Sequence, residues 1–382
     1  MTRPPYLIKL LLGLDLVFGS RSAVAADGWT TREGFAIPRP GTTFNFPRDH
    51  GSHPAFGIEW WYVTGHLFET NGARYGFQAT FFRRSAPRRE SSTGPVNPDF
   101  KLDQLHLAHT ALLDVAGQKF ISQERLNREG WDAGAALDHL DVRNGNWSLR
   151  ASEDASGAMQ LKGSVHADAL FDLRLVPQKS LVVFGTNGVS RKAAEVSAAS
   201  HYLTYTRLTV EGSLRLGTRI AQVSGLAWMD HEFSSSQLGA NQVGWDWACV
   251  QLRDGREIMA YRMRRTDGSI DPFSTLAWID GHGVVQHVRA DGYGWQPEGT
   301  WHSAATGANY PATIRLTTTD PATGKPIIFR IKPLAPDQEL DGGLGGIPYW
   351  EGACKVLDET GREVGQSFLE LTGYAGSMKG RL

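Results

Sequence analysis

Two predicted β-hairpins, about half the chain apart, constrain the fold more than any other feature of the sequence. Runs of alternating apolar and polar residues flank Asn71-Gly72 at 58–69 and 74–84, and Asp254-Gly255 at 243–252 and 257–264. Asn-Gly and Asp-Gly between such runs are the strongest local signals of a two-residue hairpin turn. Each hairpin opens with tryptophans and closes with a pair of arginines. The likeness indicates a duplicated β unit.

Further strand-like runs follow the second hairpin, and stretches with a helical period are scarce. These runs are Phe273–Asp280, Val284–Ala290, Ala312–Thr318, Pro326–Ile331, Pro348–Leu357 and Glu363–Tyr374. Together with the hairpin they make about eight strands, the number that closes a small up-and-down barrel. The first half offers a similar set, which ends in 203–215 and 220–229. We therefore predict an all-β protein made of two tandem antiparallel β-barrels.

The first residues are typical of a cleaved leader. Arg3 and Lys9 precede an apolar run at 10–18 and the small residues Ala23-Val24-Ala25. We expect a signal peptide at 1–26, an N-terminal barrel domain at 27–233 and a C-terminal barrel domain at 234–382. The protein would then be periplasmic or secreted; a disordered cytoplasmic tail is the alternative interpretation of this segment.

Three shorter features complete the predicted organisation of the chain. The run from Ser234 to Gly239 is the candidate linker between the barrels, and Arg83 to Pro98 is typical of a long loop. Cys249 and Cys354, the only cysteines, would form one disulfide in an oxidising compartment or remain two buried thiols.

Charge excludes one class of partner. The 39 Lys and Arg residues nearly balance the 40 Asp and Glu residues, for a net charge of −1. A chain without a basic excess has no electrostatic field to hold a phosphate backbone. We therefore expect no nucleic-acid partner.

The segment Asp49–Tyr62 combines polar and aromatic residues at a density that barrel folding does not require. On a strand, Glu59 and Trp61 would share one face, while Trp60 and Tyr62 would share the other. A carboxylate beside an indole in a barrel mouth would lose water, which raises its pKa and suits it to acid catalysis. The structural alternative is an aromatic girdle in which Glu59 is satisfied by an arginine or a backbone amide.

The segment Trp228–Phe233 is the second candidate, at the end of a predicted strand. Trp228 and Asp230 would share a face, with His231 on the opposite one. Asp230 and His231 are a plausible pair for handling protons at a barrel rim. The alternative role of Asp230 is to cap a turn at the end of the strand.

Other chemistries find little support in the sequence. The twelve histidines show no metal-binding spacing such as H-E-x-x-H, and there is no nucleophile elbow, Walker loop or dinucleotide fingerprint. We therefore expect no metal and no cofactor. Arg262 and Glu351, on aromatic strands of the second half, are predicted to form a buried ion pair, with a role in catalysis as the alternative.

The two candidate segments resemble the AttH and hydroxyneurosporene synthase family, whose members include carotenoid 1,2-hydratases and predicted secreted hydrolases. The matching residues are Asp49-His50-Gly51-x-His53-Pro54 with Glu59-Trp60-Trp61-Tyr62, Trp228-x-Asp230-His231-Glu232-Phe233, Gly244-Trp245-Asp246-Trp247 and Phe368–Tyr374. The resemblance extends across the mature chain. It implies two lipocalin-like (calycin) barrels in tandem, in agreement with the strand count.

The resemblance also implies an activity. In the hydratase members, water adds across a terminal double bond of a long polyene. Asp230 would supply the proton, with His231 beside it, and Glu59 would direct the water. Aromatic faces stabilise a carbocation by roughly 1–2 kcal/mol each when desolvated. The side chains that would contact the substrate are Trp60, Trp61, Tyr62, Trp228, Trp245 and Trp247.

A second function of a different class stays open. The hydratase members carry Asp-His-Asn where this chain has Asp230-His231-Glu232, and the leader fits the secreted, transporter-linked branch of the family. On this interpretation the protein is a periplasmic binding protein that holds a lipid-like ligand for an ABC-type export system. Asp230 and Glu59 would then be structural.

Overall fold

A computed structural model describes residues 28–86, 104–154, 156–344 and 348–378. Almost all of the regular structure is antiparallel β-sheet, and the described helix is a short 3₁₀ turn, Arg48–His50. No helix within these ranges is long and apolar enough to cross a membrane. The predicted signal peptide and most of the predicted loop up to Pro98 lie outside the described residues.

The first sheet contains thirteen strands from the N-terminal half of the chain. They are β1 (Ile58–Phe68), β2 (Arg74–Ser85), β3 (Gln104–Asp114), β4 (Lys119–Arg128), β5 (Ala133–Ala135), β6 (Asp141–Asn144), β7 (Trp147–Ala151), β8 (Met159–Val165), β9 (Ala169–Pro177), β10 (Val182–Val183), β11 (Ser190–Arg191), β12 (Ala199–Leu216) and β13 (Arg219–Ser236). Their order is β4-β3-β2-β1-β13-β12-β9-β8-β7-β6-β5, with β10 and β11 paired to β12.

The second sheet contains ten strands. They are β14 (Gln242–Leu252), β15 (Glu257–Arg265), β16 (Thr275–Ile279), β17 (Val285–Arg289), β18 (Gly294–His302), β19 (Asn309–Thr319), β20 (Pro326–Pro333), β21 (Glu339–Leu340), β22 (Tyr349–Leu357) and β23 (Glu363–Thr372). Their order is β17-β16-β15-β14-β23-β22-β20-β19-β18, with β21 paired to β22.

The two sheets repeat one topology. In each, the first strand of the predicted hairpin lies between its hairpin partner and the last strand of the sheet: β1 between β2 and β13, and β14 between β15 and β23. Each sheet curls around its own apolar interior, so the chain forms two tandem lipocalin-like barrels, as the sequence predicts. The last strand of the first barrel runs to Ser236, and thus includes the start of the predicted linker.

Strand alternation produces a third apolar core between the barrels. On β1, Trp61 and Val63 face the first barrel's interior, whereas Tyr62 faces the second barrel. On β14, Ala248 faces the second interior and Trp247 faces the first barrel. Because successive strand residues point to opposite faces, each of these strands contributes to two cores at once.

Close packing and buried charges hold the barrels together. A Cβ added at Gly76 on β2 would lie 2.4 Å from Ala353 Cβ on β22, so the two sheets approach here more closely than any other residue would allow. Glu257 of the second barrel is buried and accepts hydrogen bonds from Lys179 Nζ (2.6 Å) and Arg207 Nε (2.5 Å) of the first. Close packing and a buried ion-pair cluster therefore both join the two barrels.

Two features differ from simple expectation. Strand β18 has no counterpart among the predicted runs because Pro297 interrupts its pattern; it lies at the end of the strand order, where a proline is tolerated. The two cysteines are both free and buried, so of the two alternatives the structure shows two buried thiols and not a disulfide. Cys249 faces the core between the barrels and Cys354 faces the second barrel's interior, so the sheet separates the two thiols.

Candidate active site

A pocket lies between the barrels, against the third core. Its walls are largely aromatic, with Trp60, Tyr62 and Tyr202 from the first barrel and Trp245, Trp247 and Tyr261 from the second. One lysine and four carboxyl side chains also line it: Lys192, Asp230, Glu232, Glu351 and Glu370. An apolar cavity with a few converging polar groups is the usual form of a small-molecule site.

The repeated topology explains why these residues meet. Strands β1 and β14 occupy equivalent positions in their sheets, and each presents two aromatic residues to the pocket. Their neighbours β13 and β23 each present a carboxyl group, Asp230 opposite Tyr62 and Glu370 opposite Trp247. The same strand pair in each barrel therefore supplies an aromatic wall and an acid.

Asp230 is fully buried and held by three neutral donors. Its Oδ1 accepts hydrogen bonds from Trp228 Nε1 (2.7 Å) and Thr204 Oγ1 (2.7 Å), and its Oδ2 accepts one from Tyr202 Oη (2.8 Å). Burial raises the pKa of Asp230 to about 7, although the three donors act to lower it. The carboxyl group is thus poised to gain or lose a proton near neutral pH.

The hydrogen-bond pattern favours Oδ2 as the atom that carries this proton. Oδ1 already accepts two hydrogen bonds, whereas Oδ2 accepts only that of Tyr202. Tyr202 in turn accepts a hydrogen bond from Trp247 Nε1 at 3.0 Å. The hydrogen bond from Trp247, a residue of the second barrel, therefore orients the Tyr202 hydroxyl group that contacts Asp230 Oδ2.

Lys192 and Glu232 form a buried ion pair in the same pocket. The Nζ–Oε1 distance is 3.1 Å, and Nζ lies 4.3 Å from the centre of the Tyr261 ring and 4.9 Å from that of Tyr202. Burial lowers the pKa of Lys192, but Glu232 and the nearby Tyr261 outweigh it and the net shift is upward. Lys192 is therefore a cation, balanced by Glu232.

Glu351 and Glu370 are a second acidic feature, directly opposite each other on β22 and β23. Trp245 Nε1 donates a hydrogen bond to Glu370 Oε2 at 2.9 Å. Burial raises the pKa of Glu370 to about 7, and burial together with the adjacent Glu370 raises that of Glu351 well above its usual value. Two like charges so close cannot both form readily, so at least one of these carboxyl groups is protonated at neutral pH.

Glu59 lies on the opposite face of the first sheet. Its Oε1 accepts hydrogen bonds from His53 Nδ1 and His231 Nε2, both at 2.8 Å. Its Oε2 accepts from Arg83 Nε (2.9 Å), Ser52 Oγ (3.0 Å) and the His53 backbone amide (2.8 Å). Every lone pair of this buried carboxylate has a donor.

These donors reverse the expected shift in acidity. Burial alone would raise the pKa of Glu59, but hydrogen bonds from His231 and His53 and the charge of Arg83 hold it well below its usual value. The expectation of a raised pKa at Glu59 is therefore wrong, although burial acts in the expected direction. The anion is stabilised, which is the opposite of what an acid catalyst needs.

One group of three side chains within the described residues has the spacing for a metal ion. Ligand atoms of His53, Glu59 and His231 all lie within 4.8 Å of one another. However, Glu59 Oε1 already accepts from both imidazoles, and the Arg83 cation occupies Oε2. A proton-ordered hydrogen-bond network fits this donor set better than a cation does.

The structure divides the residues singled out in the sequence between the two faces. Asp230 meets Trp60, Tyr62, Trp245 and Trp247 in the pocket, and Trp228 is its hydrogen-bond partner. Glu59, Trp61 and His231 lie together on the other face, where the Trp61 and His231 rings stack 4.8 Å apart.

Several residues of the site have no candidate role in the sequence analysis: Lys192, Tyr202, Glu232 and Glu370, which line the pocket, and Thr204, which donates to Asp230. Alternation on β12 beside β13 is the signal that indicates Tyr202 and Thr204. The predicted ion pair between Arg262 and Glu351 is wrong: Arg262 donates to the Trp295 backbone oxygen in the second barrel, and Glu351 lines the pocket.

Comparison with known proteins identifies the family. The AttH-like family model matches residues 37–374, which is most of the chain. The chain belongs to the AttH-like family. Among solved structures, it is similar to a protein of Nitrosomonas europaea that is described as an AttH, with 34% sequence identity and a TM-score of 0.78, covering 89% of this chain and 100% of that one.

Two more distant structures share the fold. Kievitone hydratase from Nectria haematococca is 16% identical with a TM-score of 0.61, covering 90% of this chain and 98% of that one. CghA, solved with Sch210972, is 10% identical with a TM-score of 0.52, covering 90% of this chain and 97% of that one. At these identities the likeness concerns the fold alone. No curated protein matches the chain.

Proposed function

We propose that this AttH-like protein is a hydratase-type enzyme that adds water to a double bond of an apolar, isoprenoid-like substrate in the pocket between its barrels. The observation that carries the proposal is the Asp230 carboxyl group, fully buried among aromatic side chains with a pKa of about 7. An acid whose pKa lies near the operating pH is the most effective proton donor. The name of the fold relative kievitone hydratase is compatible with this reaction class.

The reaction begins with protonation of the double bond. The π electrons form a new C–H bond with the proton of Asp230 Oδ2, and the adjacent carbon becomes a cation. A lone pair of a water oxygen then forms a C–O bond, and the resulting oxonium releases one proton to Asp230. The net change is the addition of one water molecule, and Asp230 returns to its protonated form.

The pocket walls suit the cationic intermediate. Trp60, Tyr62, Trp245 and Trp247 present aromatic side chains around Asp230. A desolvated aromatic face stabilises a cation by about 2 kcal/mol, and a carbocation has no other strong partner in an apolar cavity. The same rings exclude bulk water, which prevents the acid from equilibrating with solvent during the step.

Turnover by an Asp230→Asn variant tests the proposal. Geraniol, an acyclic isoprenoid with a terminal trisubstituted double bond, is incubated with protein in oxygen-18 water, and the labelled tertiary alcohol is measured by mass spectrometry. The amide keeps the size of the side chain but has no acidic proton, so turnover should fall by about 10²–10⁴-fold. Asp172→Asn, on an exposed position of β9, is the control and should keep full turnover.

Two results would overturn the assignment. Full turnover in Asp230→Asn means that another group donates the proton. Absence of labelled product from a panel of isoprenoid alkenes, together with a lipid that copurifies equally with the wild type and Asp230→Asn, favours a non-catalytic binding protein of the kind that serves an export system.

A further inference from the structure

Four buried side chains in or beside the pocket have polar atoms that make no hydrogen bond of normal geometry. Among the residues that the structure describes, Tyr62 Oη, Thr80 Oγ1, Glu351 Oε1 and both atoms of the Gln78 amide make no hydrogen bond of normal geometry, although Tyr62 and Gln78 lie near enough to the Glu351 carboxyl group to interact with it. All four side chains are at least nine-tenths buried. We call these four residues the polar corner.

The barrel topology places the polar corner at a single spot. Tyr62 and Thr80 are directly opposite each other on β1 and β2, and Gln78 precedes Thr80 by two residues, on the same face. Glu351 reaches the group from the second barrel, where Tyr62 and Gln78 are its close polar neighbours. Tyr62, Thr80 and Glu351 also line the pocket.

Unpartnered buried polar atoms are rare because each loses its hydrogen bonds to water on folding. A single atom of this kind has many explanations. Four such side chains, contributed by both barrels and close together at one cavity, call for one shared explanation. Their donors and acceptors are complementary to an oxygen atom: two hydroxyl groups and an amide that donate, and a carboxyl oxygen that accepts. Two other described residues of the pocket have such an atom, Glu232 Oε1 and Gln237 Nε2, but Glu232 Oε1 lies 3.1 Å from Lys192 Nζ, its ion-pair partner.

We propose that the polar corner binds an oxygen atom of the ligand, so that the substrate is an apolar molecule carrying a hydroxyl or carbonyl group and not a pure hydrocarbon. This inference rests on the proposed function only in that it concerns the same pocket. It orients the ligand: the oxygenated end contacts Glu351, and the apolar remainder lies along the aromatic walls of the pocket.

The proton shared between the carboxyl groups of Glu351 and Glu370 determines which hydrogen bonds the polar corner can form with a ligand. Because Glu351 and Glu370 face each other across β22 and β23, one of them retains a proton. Trp245 Nε1 donates to Glu370 Oε2, which stabilises a negative charge on Glu370. Glu351 is then the protonated partner, which can donate a hydrogen bond to a carbonyl oxygen or accept one from a hydroxyl group.

Binding of a matched pair of probes tests the inference. Geraniol and myrcene have closely similar isoprenoid carbon skeletons, but only geraniol carries a hydroxyl group. Quenching of tryptophan fluorescence on titration reports the dissociation constant of each. We expect the wild-type protein to bind geraniol about tenfold more tightly than myrcene, which corresponds to about 1.4 kcal/mol.

Three variants separate the corner from a general loss of structure. Glu351→Met fills the space without a polar group and should reduce the preference for geraniol to about onefold, while myrcene affinity is kept. Glu351→Gln retains hydrogen bonding and should preserve most of the preference. Glu298→Gln, at a partly exposed ion pair on β18, is the matched control and should change neither constant.

Equal affinity of the wild type for the two probes, or an unchanged preference in Glu351→Met, would overturn the inference. If Glu351→Met weakens both probes equally, the residue supports the pocket wall and does not bind oxygen, which also overturns it. These results are independent of Asp230: the hydration proposal fails on turnover in Asp230→Asn, whereas the polar corner fails on the selectivity of binding.

Discussion

Asp230 and Glu59 are two fully buried carboxyl groups on opposite faces of one sheet, and their acidities shift in opposite directions. Asp230 has three neutral donors, and its pKa rises to about 7. Glu59 contacts the Arg83 cation and two imidazoles, and its pKa falls well below the usual value. Burial alone therefore does not determine acidity; the number of donors and the nearby positive charge also do.

The contrast assigns different roles to the two faces. The Glu59 network joins β1, β2, β13 and the segment around His53, so its ionised form ties the N-terminal segment to the first barrel. The Asp230 face lies against an aromatic pocket, where burial makes the charged form of Asp230 unfavourable. A group that costs stability in its charged form and faces a cavity is a candidate for catalysis.

The largest expected effect comes from removal of the cation beside Glu59. Arg83→Met leaves a buried carboxylate without its guanidinium partner, and such losses cost about 3–5 kcal/mol. Urea unfolding at neutral pH should show this decrease in the free energy of unfolding. Arg330→Met, which breaks the partly exposed pair with Glu298, should cost less than about 1 kcal/mol. Equal losses in both variants would contradict the stabilising role of the Glu59 network.

The next effect is the pH dependence of stability. The pKa of Asp230 is about 7 in the folded protein against 3.8 for an ordinary aspartate, so the folded state binds more protons between these values. Stability from this group is therefore full below about pH 4 and declines as the pH rises through 7, by up to about 4 kcal/mol. The free energy of unfolding of the wild type minus that of Asp230→Asn should decrease over this range.

For Glu59 the sign is reversed. Its lowered pKa means that its contribution is full above the ordinary value of 4.5 and is lost as the pH falls below it. The difference in unfolding free energy between the wild type and Glu59→Gln should therefore shrink on acidification. If the differences in unfolding free energy for Asp230→Asn and Glu59→Gln change in the same direction with pH, the contrast between the two carboxyl groups is wrong.

The smallest effect concerns the donor to Asp230 Oδ2. Tyr202→Phe removes a hydrogen bond that stabilises the charged carboxylate, so the pKa of Asp230 should rise further. Carbon-13 NMR of aspartate carboxyl groups, followed against pH, measures this shift. Tyr205→Phe, whose hydroxyl group contacts His50 on the Glu59 side, is the control and should leave the titration of Asp230 unchanged.

The sequence predicts the fold well because β-structure has local signals. Asn71-Gly72 and Asp254-Gly255 mark the two equivalent hairpins, and alternation correctly divides Glu59 and Trp61 from Trp60 and Tyr62. Strand β18 is the exception, since Pro297 interrupts its pattern.

The site is harder to predict from the sequence because its residues converge from distant strands. The alternation of residues along β1 shows that the strand has two different faces. It does not show that one face lies in the interior of the first barrel and that the other lies against the second barrel. Glu351 and Glu370 join Asp230 only through the packing of the two sheets, and no local pattern reports that contact. The pair of Glu59 and Arg83 is different, because it lies within the predicted β1–β2 hairpin, and an arginine partner for Glu59 is one of the interpretations that the sequence offers.

The most direct test of the account is the protonation state of Asp230 itself. Carbon-13 NMR of the aspartate carboxyl carbons, with Asp230→Asn to assign the resonance, follows this group from acid to alkaline pH in the intact protein. The account predicts a single titration with a midpoint near pH 7. A resonance that is already that of an ionised carboxylate at pH 5 would contradict it, because Asp230 would then hold no proton to donate.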